Sequence, residues 1–335
     1  MPNDVMQAAL PEIKSLRTLL VPYSKSNVKT ATRQLLIALI FYIVGWVAMY
    51  YSLRISYLLT ILLAIPTCGF LMRIFIIFHD CGHGSFYPTT KLNRRIGFWM
   101  GVLVFTPGED WWRAHAIHHA TSGNLDRRGV GDVYTMTVDE YKKLSPAKQF
   151  GYRLFRHPLI MFGFGPIWMF LIRHRWPTFG FSKKETMSVV WTNISILSIA
   201  IGLSLLMGFY NYLLIQLSIL WFAGMVGIWM FYIQHQFESV YWARDKEWTF
   251  LASAFLGASC YRLPKVFQWF SGNIGFHHIH HLNPRVPNYQ LDKAFASAEV
   301  LRQVPTFNFR QSLHCIGLAL IDEKARKLVS FRQAG

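Results

Sequence analysis

The sequence predicts an all-α polytopic membrane protein with four transmembrane helices, short re-entrant or interfacial apolar segments, and a histidine-rich cytoplasmic cap. Three observations carry this reading. Of the 335 residues, 53% are hydrophobic and only 15% are charged, against about a quarter charged in soluble domains. Four apolar stretches are long enough to cross a hydrocarbon core of about 30 Å. Histidines gather at helical spacing in the polar segments that follow those stretches.

Residues 1–33 carry mixed charge, including Asp4, Glu12, Lys14, Arg17, Lys25, Lys29 and Arg33. No long apolar core follows a short basic start, so this is read as a cytoplasmic arm and not as a signal peptide. Residues 34–53 and 55–78 are the first two spans, joined by a tight connection bearing Arg54. Residues 96–107 and 158–172 are apolar but too short to cross, which marks them as re-entrant or interfacial. Residues 187–209 and 212–233 are the third and fourth spans.

With four crossings, residues 1–33, 79–186 and 234–335 share one side. Nearly all Lys and Arg fall in these three regions, which makes that side cytoplasmic by the positive-inside tendency. Both termini are then cytoplasmic, and the whole of 1–335 reads as a single membrane-embedded domain. The formal net charge of +17 is explained by this topology, with a part available to anionic lipid or an acidic partner. Nucleic-acid binding, the other use of a basic chain, is not supported. Cys68, Cys81, Cys260 and Cys315 form no C-x-x-C pair and read as small buried residues, not as a disulfide framework.

Three histidine clusters lie on the cytoplasmic side. His79 and His83 stand four apart; His115, His118 and His119 stand at i, i+3 and i+4, as do His277, His280 and His281. On helices each set shares one face. His235 ends the fourth span on the same side. His157, His174 and His314 stand alone and read as structural. Eight or nine neutral imidazoles exceed what one tetrahedral zinc needs and suit two ions of four to five ligands each. Imidazole accommodates Zn, Cu, Fe and Ni; a redox task at a membrane surface favours iron.

HDCGHGSF, W-x-x-x-H-A-I-H-H and N-I-G-x-H-H-I-H-H-L resemble the three histidine boxes of the membrane fatty acid desaturases. The spacing is that of the acyl-lipid branch. The likeness continues through Thr121–Asp126, Arg128–Asp132 and Val329–Arg332 and covers nearly the whole chain. It includes the cold-inducible bacterial phospholipid desaturases, among them a Δ5 enzyme.

The resemblance implies a di-iron centre held by His79, His83, His115, His118, His119, His235, His277, His280 and His281, with His278 and Cys81 not ligands. It implies O2-dependent insertion of a cis double bond into phospholipid acyl chains, with Δ5 a candidate position and membrane fluidity the purpose. The setting it implies is the bacterial inner membrane. No cytochrome b5 or nucleotide-binding signature is present in the sequence, so electrons are expected from a separate donor such as ferredoxin or flavodoxin.

Asp80, Asp126, Asp132, Glu238 and Asp245 are candidates to orient the imidazoles, since ligating histidine usually donates its other N–H to a carboxylate or carbonyl. Trp99, Phe105, Trp112 and Phe276 are candidate walls for an acyl tunnel. A related di-iron acyl hydroxylase is the nearest alternative. A histidine-rich metal transporter fits less well, because transporters place such groups near the midplane of broken helices.

Overall fold

The computed structural model describes residues 17–335; residues 1–16 of the expected arm lie outside the described residues. The fold is predominantly helical, built on four long apolar helices: α1 (Val28–Ser52) and α2 (Tyr57–Gly82), with two more that follow below. Helix α1 begins six residues before the expected span. The Asn27 side chain accepts from the Thr30 N–H at 2.9 Å, satisfying one of the unpaired donors of a helix start. Helix α2 starts at a Ser56 cap and runs through Pro66 without breaking. It continues past the expected end of the second span, and those extra residues carry His79.

Residues 96–107 do not form a separate apolar element. Most belong to α3 (Thr90–Leu103), whose polar first half and apolar second half lie along α2. Next comes α4 (Gly108–Thr121), the helix bearing the second histidine cluster. Residues 158–172 follow α5 (Pro146–Arg156), and Leu159–Arg175 bends from it by 59°. This bent piece starts where Arg156 donates to Gln236 Oε1 (2.9 Å), just past the fourth long helix. It returns where the Thr178 N–H donates to Asp110 Oδ1 (2.8 Å) on α4.

The remaining long helices are α6 (Lys183–Met207), started by a Ser182–Glu185 capping box, and α7 (Phe209–His235). The turn between them is Gly208 alone, at φ +90°, a conformation open to glycine at little cost. Of its most apolar window, α2 buries 56% and α6 only 11%. Helix α2 is therefore the central post of the bundle, and α6 is an outer helix whose apolar surface suits lipid.

One packing device ties α2, α3 and α4 together. Trp112 of α4 donates its indole N–H to the Phe78 carbonyl at 3.1 Å. A Cβ at Gly82 would lie 2.2 Å from its ring, and one at Gly97 2.6 Å. Trp112 is thus seated in a socket that only glycine leaves open. Gly82→Ala is expected to cost about 1–3 kcal/mol, the usual penalty for overpacking, and to displace the helix carrying His115. Thermal unfolding and metal content, measured together, check this; unchanged values for both would refute the socket.

Two small sheets add to the helical reading and were not foreseen in the sequence. β1 (Met136–Thr137) pairs in parallel with β4 (Leu318–Asp322), which pairs antiparallel with β5 (Lys327–Ser330). β2 (Cys260–Tyr261) pairs in parallel with β3 (Thr306–Phe307). These strands are too short to give a clear period-two signal, and the partners of β1 and β2 lie far away in sequence.

Candidate metal centre

Helix α2 carries His79 in its last turn, with His83 at its C-cap, and α7 ends at His235. The two helices pack together, so both ends deliver imidazoles to one place. Helix α4 brings His115, His118 and His119, and the short α8 (His277–Leu282) brings His277, His280 and His281. All nine predicted histidines converge, and they divide into two groups. His79, His83, His115, His119 and His280 form one; His118, His235, His277 and His281 form the other. Within each group one nitrogen per residue lies within 4.8 Å of every other.

The hydrogen bonds behind the rings fix their tautomers. His79 Nδ1 contacts Asp80 Oδ1 at 3.0 Å, and His118 Nδ1 contacts Asp132 Oδ1 at 2.5 Å. His235 Nδ1 contacts the Gly257 carbonyl at 3.0 Å. A carboxylate or carbonyl only accepts, so each of these rings donates its Nδ1–H outward and points an Nε2 lone pair inward. His118 Nε2 then faces His235 Nε2 at 3.2 Å, lone pair to lone pair. His79 Nε2 lies 3.1 Å from His280 Nε2. His83 Nε2 is buried with no hydrogen-bond partner among the described residues. A cation between these nitrogens resolves every one of these contacts.

Burial, then the neighbouring imidazoles, hold His115, His119, His277, His280 and His281 well below their ordinary pKa. Neutral imidazole is the form that binds metal. An all-nitrogen set also disfavours calcium and magnesium, which prefer oxygen. The residues present fit metal ions.

His278, inside the same short helix, faces away. Its Nε2 lies 2.9 Å from the Leu301 carbonyl, and burial pushes its pKa down to about 3. Cys81 is buried and free, outside both groups. His157, His174 and His314 also lie outside them.

The five carboxylate candidates separate. Asp80 and Asp132 stand directly behind imidazoles. Asp126 instead pairs with Arg244 at 2.7 Å and accepts the Asp245 N–H at 2.9 Å. Asp245 pairs with Arg127 at 2.9 Å and accepts from Asn124 at 2.8 Å. Glu238 pairs with Lys327 at 3.0 Å, in an exposed position. Glu238 stands three residues past His235, but the helix ends at His235, so the two do not share a helical face.

Asn288, unremarked in the sequence, donates both its backbone N–H (2.7 Å) and its Nδ2–H (2.8 Å) to Asp80 Oδ2.

The aromatic contacts also differ from expectation. Trp99 is largely exposed, Phe105 lies under Arg175, Trp112 fills its glycine socket, and Phe276 stacks on Phe295. The rings against the cluster are Trp111, stacked on His115 at 4.5 Å, and Phe231, 5.2 Å from both His118 and His235. Each lies four residues before a clustered histidine, a one-turn spacing readable in hindsight.

The family model described as fatty acid desaturase matches residues 55–311. The chain is 44% identical over 319 residues to a fatty acid desaturase of Bacillus subtilis (strain 168), spanning 95% of this chain and 91% of that one. It is 27% identical over 237 residues to an sn-1 acyl-lipid omega-3 desaturase (ferredoxin) of Nostoc sp. (strain 36), covering 66% of this chain and 62% of the relative. It is 27% identical over 243 residues to an endoplasmic reticulum omega-3 fatty acid desaturase of Vigna radiata var. radiata, covering 68% and 61%.

Proposed function

The chain belongs to the fatty acid desaturase family, and from that membership we propose that it inserts a cis double bond into phospholipid acyl chains, with Δ5 the candidate position. It is a membrane enzyme and an oxidoreductase. The observation that carries the reading is the convergence of nine imidazoles as groups of five and four. In this proposal they hold two iron ions, O2 is the oxidant, and the active site faces the cytoplasm. The whole of 1–335 acts as one membrane-embedded domain.

The substrate offers adjacent methylenes with no acidic proton and no leaving group, so acid–base chemistry alone cannot start the reaction. The iron pair, when bound, supplies the oxidant made from O2 and two electrons. In the balanced reaction the chain loses two hydrogens, O2 is reduced to two waters, and a donor gives two electrons with two protons. The polypeptide supplies binding, orientation and water exclusion.

His79 and His118 are oriented by Asp80 and Asp132, and His235 by the Gly257 carbonyl. Trp111 and Phe231 place apolar surface beside the imidazoles, suited to a hydrocarbon chain and unfavourable to water. The four apolar helices keep the site next to its lipid substrate. The electron donor is a separate protein of the ferredoxin or flavodoxin class. The Nostoc relative, whose name carries ferredoxin, supports the ferredoxin class.

Expression in a bacterium lacking unsaturated fatty acids tests this. New cis-monoenes, with the double bond localised at Δ5 by gas chromatography and mass spectrometry, are the expected result. A monoene at another position would correct the regiochemistry. Hydroxy acids would move the assignment to a related hydroxylase. No product from an iron-loaded protein with a competent donor would sink the desaturase reading.

A further inference from the structure

We propose that Asn288, held in place by Gln34, makes the two metal positions electronically unequal by drawing carboxylate charge away from His79. The inference rests on the iron-centre reading above. Each group of imidazoles has one member backed by a carboxylate, and the two carboxylates are held differently. Asp80 is 2% exposed, and both of its oxygens are engaged. Oδ1 faces His79, while Oδ2 accepts the backbone N–H and the Nδ2–H of Asn288. Asp132 Oδ1 faces His118, but Asp132 Oδ2 is buried and, among the described residues, receives no protein donor.

A carboxylate that accepts several hydrogen bonds spreads its charge among them. A carboxylate with one partner directs more of it there. The partner behind a ligating histidine raises the basicity of the ring and so tunes the metal. His118 thus receives the stronger push. An ion held with His118 would receive the larger contribution from its carboxylate. The five-member set gives the His79 side one more imidazole donor, so the carboxylate effect is read from how each variant shifts its own site and not from the ordering of the two.

Asn288 can do this only if its amide is oriented. With Nδ2 donating to Asp80, its Oδ1 must accept from elsewhere, and Gln34 Nε2–H provides that bond at 2.7 Å. Gln34 belongs to α1 and is 7% exposed; Asn288 is 1% exposed. The chain Gln34–Asn288–Asp80–His79 therefore runs through the interior from the first membrane helix to the first histidine cluster. It passes through the segment after the third cluster. Asn288 is a positioning residue in this scheme, since it acts through Asp80.

Mössbauer spectroscopy of the full-length protein in lipid nanodiscs, loaded with iron-57, tests the proposal without turnover. The wild type is expected to give two distinct quadrupole doublets. Asn288→Leu should shift one doublet and leave the other in place, and Asp132→Asn should shift the other. Spectroelectrochemistry should show the reduction step affected by Asn288→Leu moving to lower potential, because Asp80 then directs more charge at His79. If Asn288→Leu fails to retain iron, Gln34→Leu keeps the asparagine but frees its amide, and should shift the same single doublet by a smaller amount. A single wild-type doublet, or iron-loaded variants that shift both doublets alike or neither, would overturn the proposal. Product formation is scored separately, so failure of the desaturase reading is not confused with failure of this one.

Discussion

Replacing His280 with alanine is expected to abolish turnover and release metal, while replacing His278, two residues earlier, is expected to do neither. His280 Nε2 lies 3.1 Å from His79 Nε2 and 2.9 Å from His119 Nε2, at the centre of the five-member group. Loss of a mere orienting partner typically lowers metal affinity by about 10–100-fold. Removal of a ligand itself should exceed that range and take activity below detection. His278 is equally buried, but its hydrogen bond goes to the Leu301 carbonyl. Its loss leaves that acceptor unpaired and opens a cavity, for about 1–3 kcal/mol of stability, with metal retained. Metal content by mass spectrometry, product analysis and thermal unfolding on both variants separate the two cases. A His278→Ala protein that loses its metal while His280→Ala keeps it would refute the ligand assignment.

The contrast between these neighbours illustrates what was legible in the sequence. Helical spacing alone places His277, His280 and His281 on one face and turns His278 away, because one turn of α8 is a local fact. The four long helices were legible for the same reason: their apolar length is a property of contiguous residues. The carboxylates were not. Asp126 and Asp132 sit in the same polar loop with similar neighbours, and only the fold brings one to His118 and the other to Arg244.

Asn288 was invisible because its partner Asp80 is 208 residues away. Trp112 was read as a tunnel wall because its aromatic character is local, whereas its glycine socket spans three helices. The short strands escaped for the same reason, since β1 is too short to announce itself and its partner β4 is far along the chain. Residues whose role depends on helical periodicity were readable; those whose role depends on a distant partner needed the fold.

The second large effect is a loss of metal and fold on mild acidification, beginning near pH 6.5 and not near pH 4. His115, His119, His277, His278, His280 and His281 all have native pKa values below the ordinary 6.5, first because they are buried. Above 6.5 these groups are neutral in both folded and unfolded chains and do not make stability depend on pH. As pH falls below 6.5 the unfolded chain takes up protons that the native chain refuses, so unfolding is favoured. Each such group costs about 1.4 kcal/mol of stability for each pH unit below its unfolded value. All six act in the same direction, so the loss grows steadily as pH falls below 6.5, against a total of only about 5–15 kcal/mol for a typical folded domain.

Bound metal opposes the change at first, because it occupies the neutral form, and then leaves as protons compete for the same nitrogens. The expected record is a steep fall in metal content and in thermal stability between about pH 6.5 and 5.5, with the metal-depleted protein failing at the higher end of that window. Carboxylate-driven acid denaturation would instead begin where Asp and Glu protonate, near pH 4. Metal retention and helicity followed together across this range distinguish the two. A protein that keeps both down to pH 4.5 would show that the buried imidazoles do not govern its acid stability.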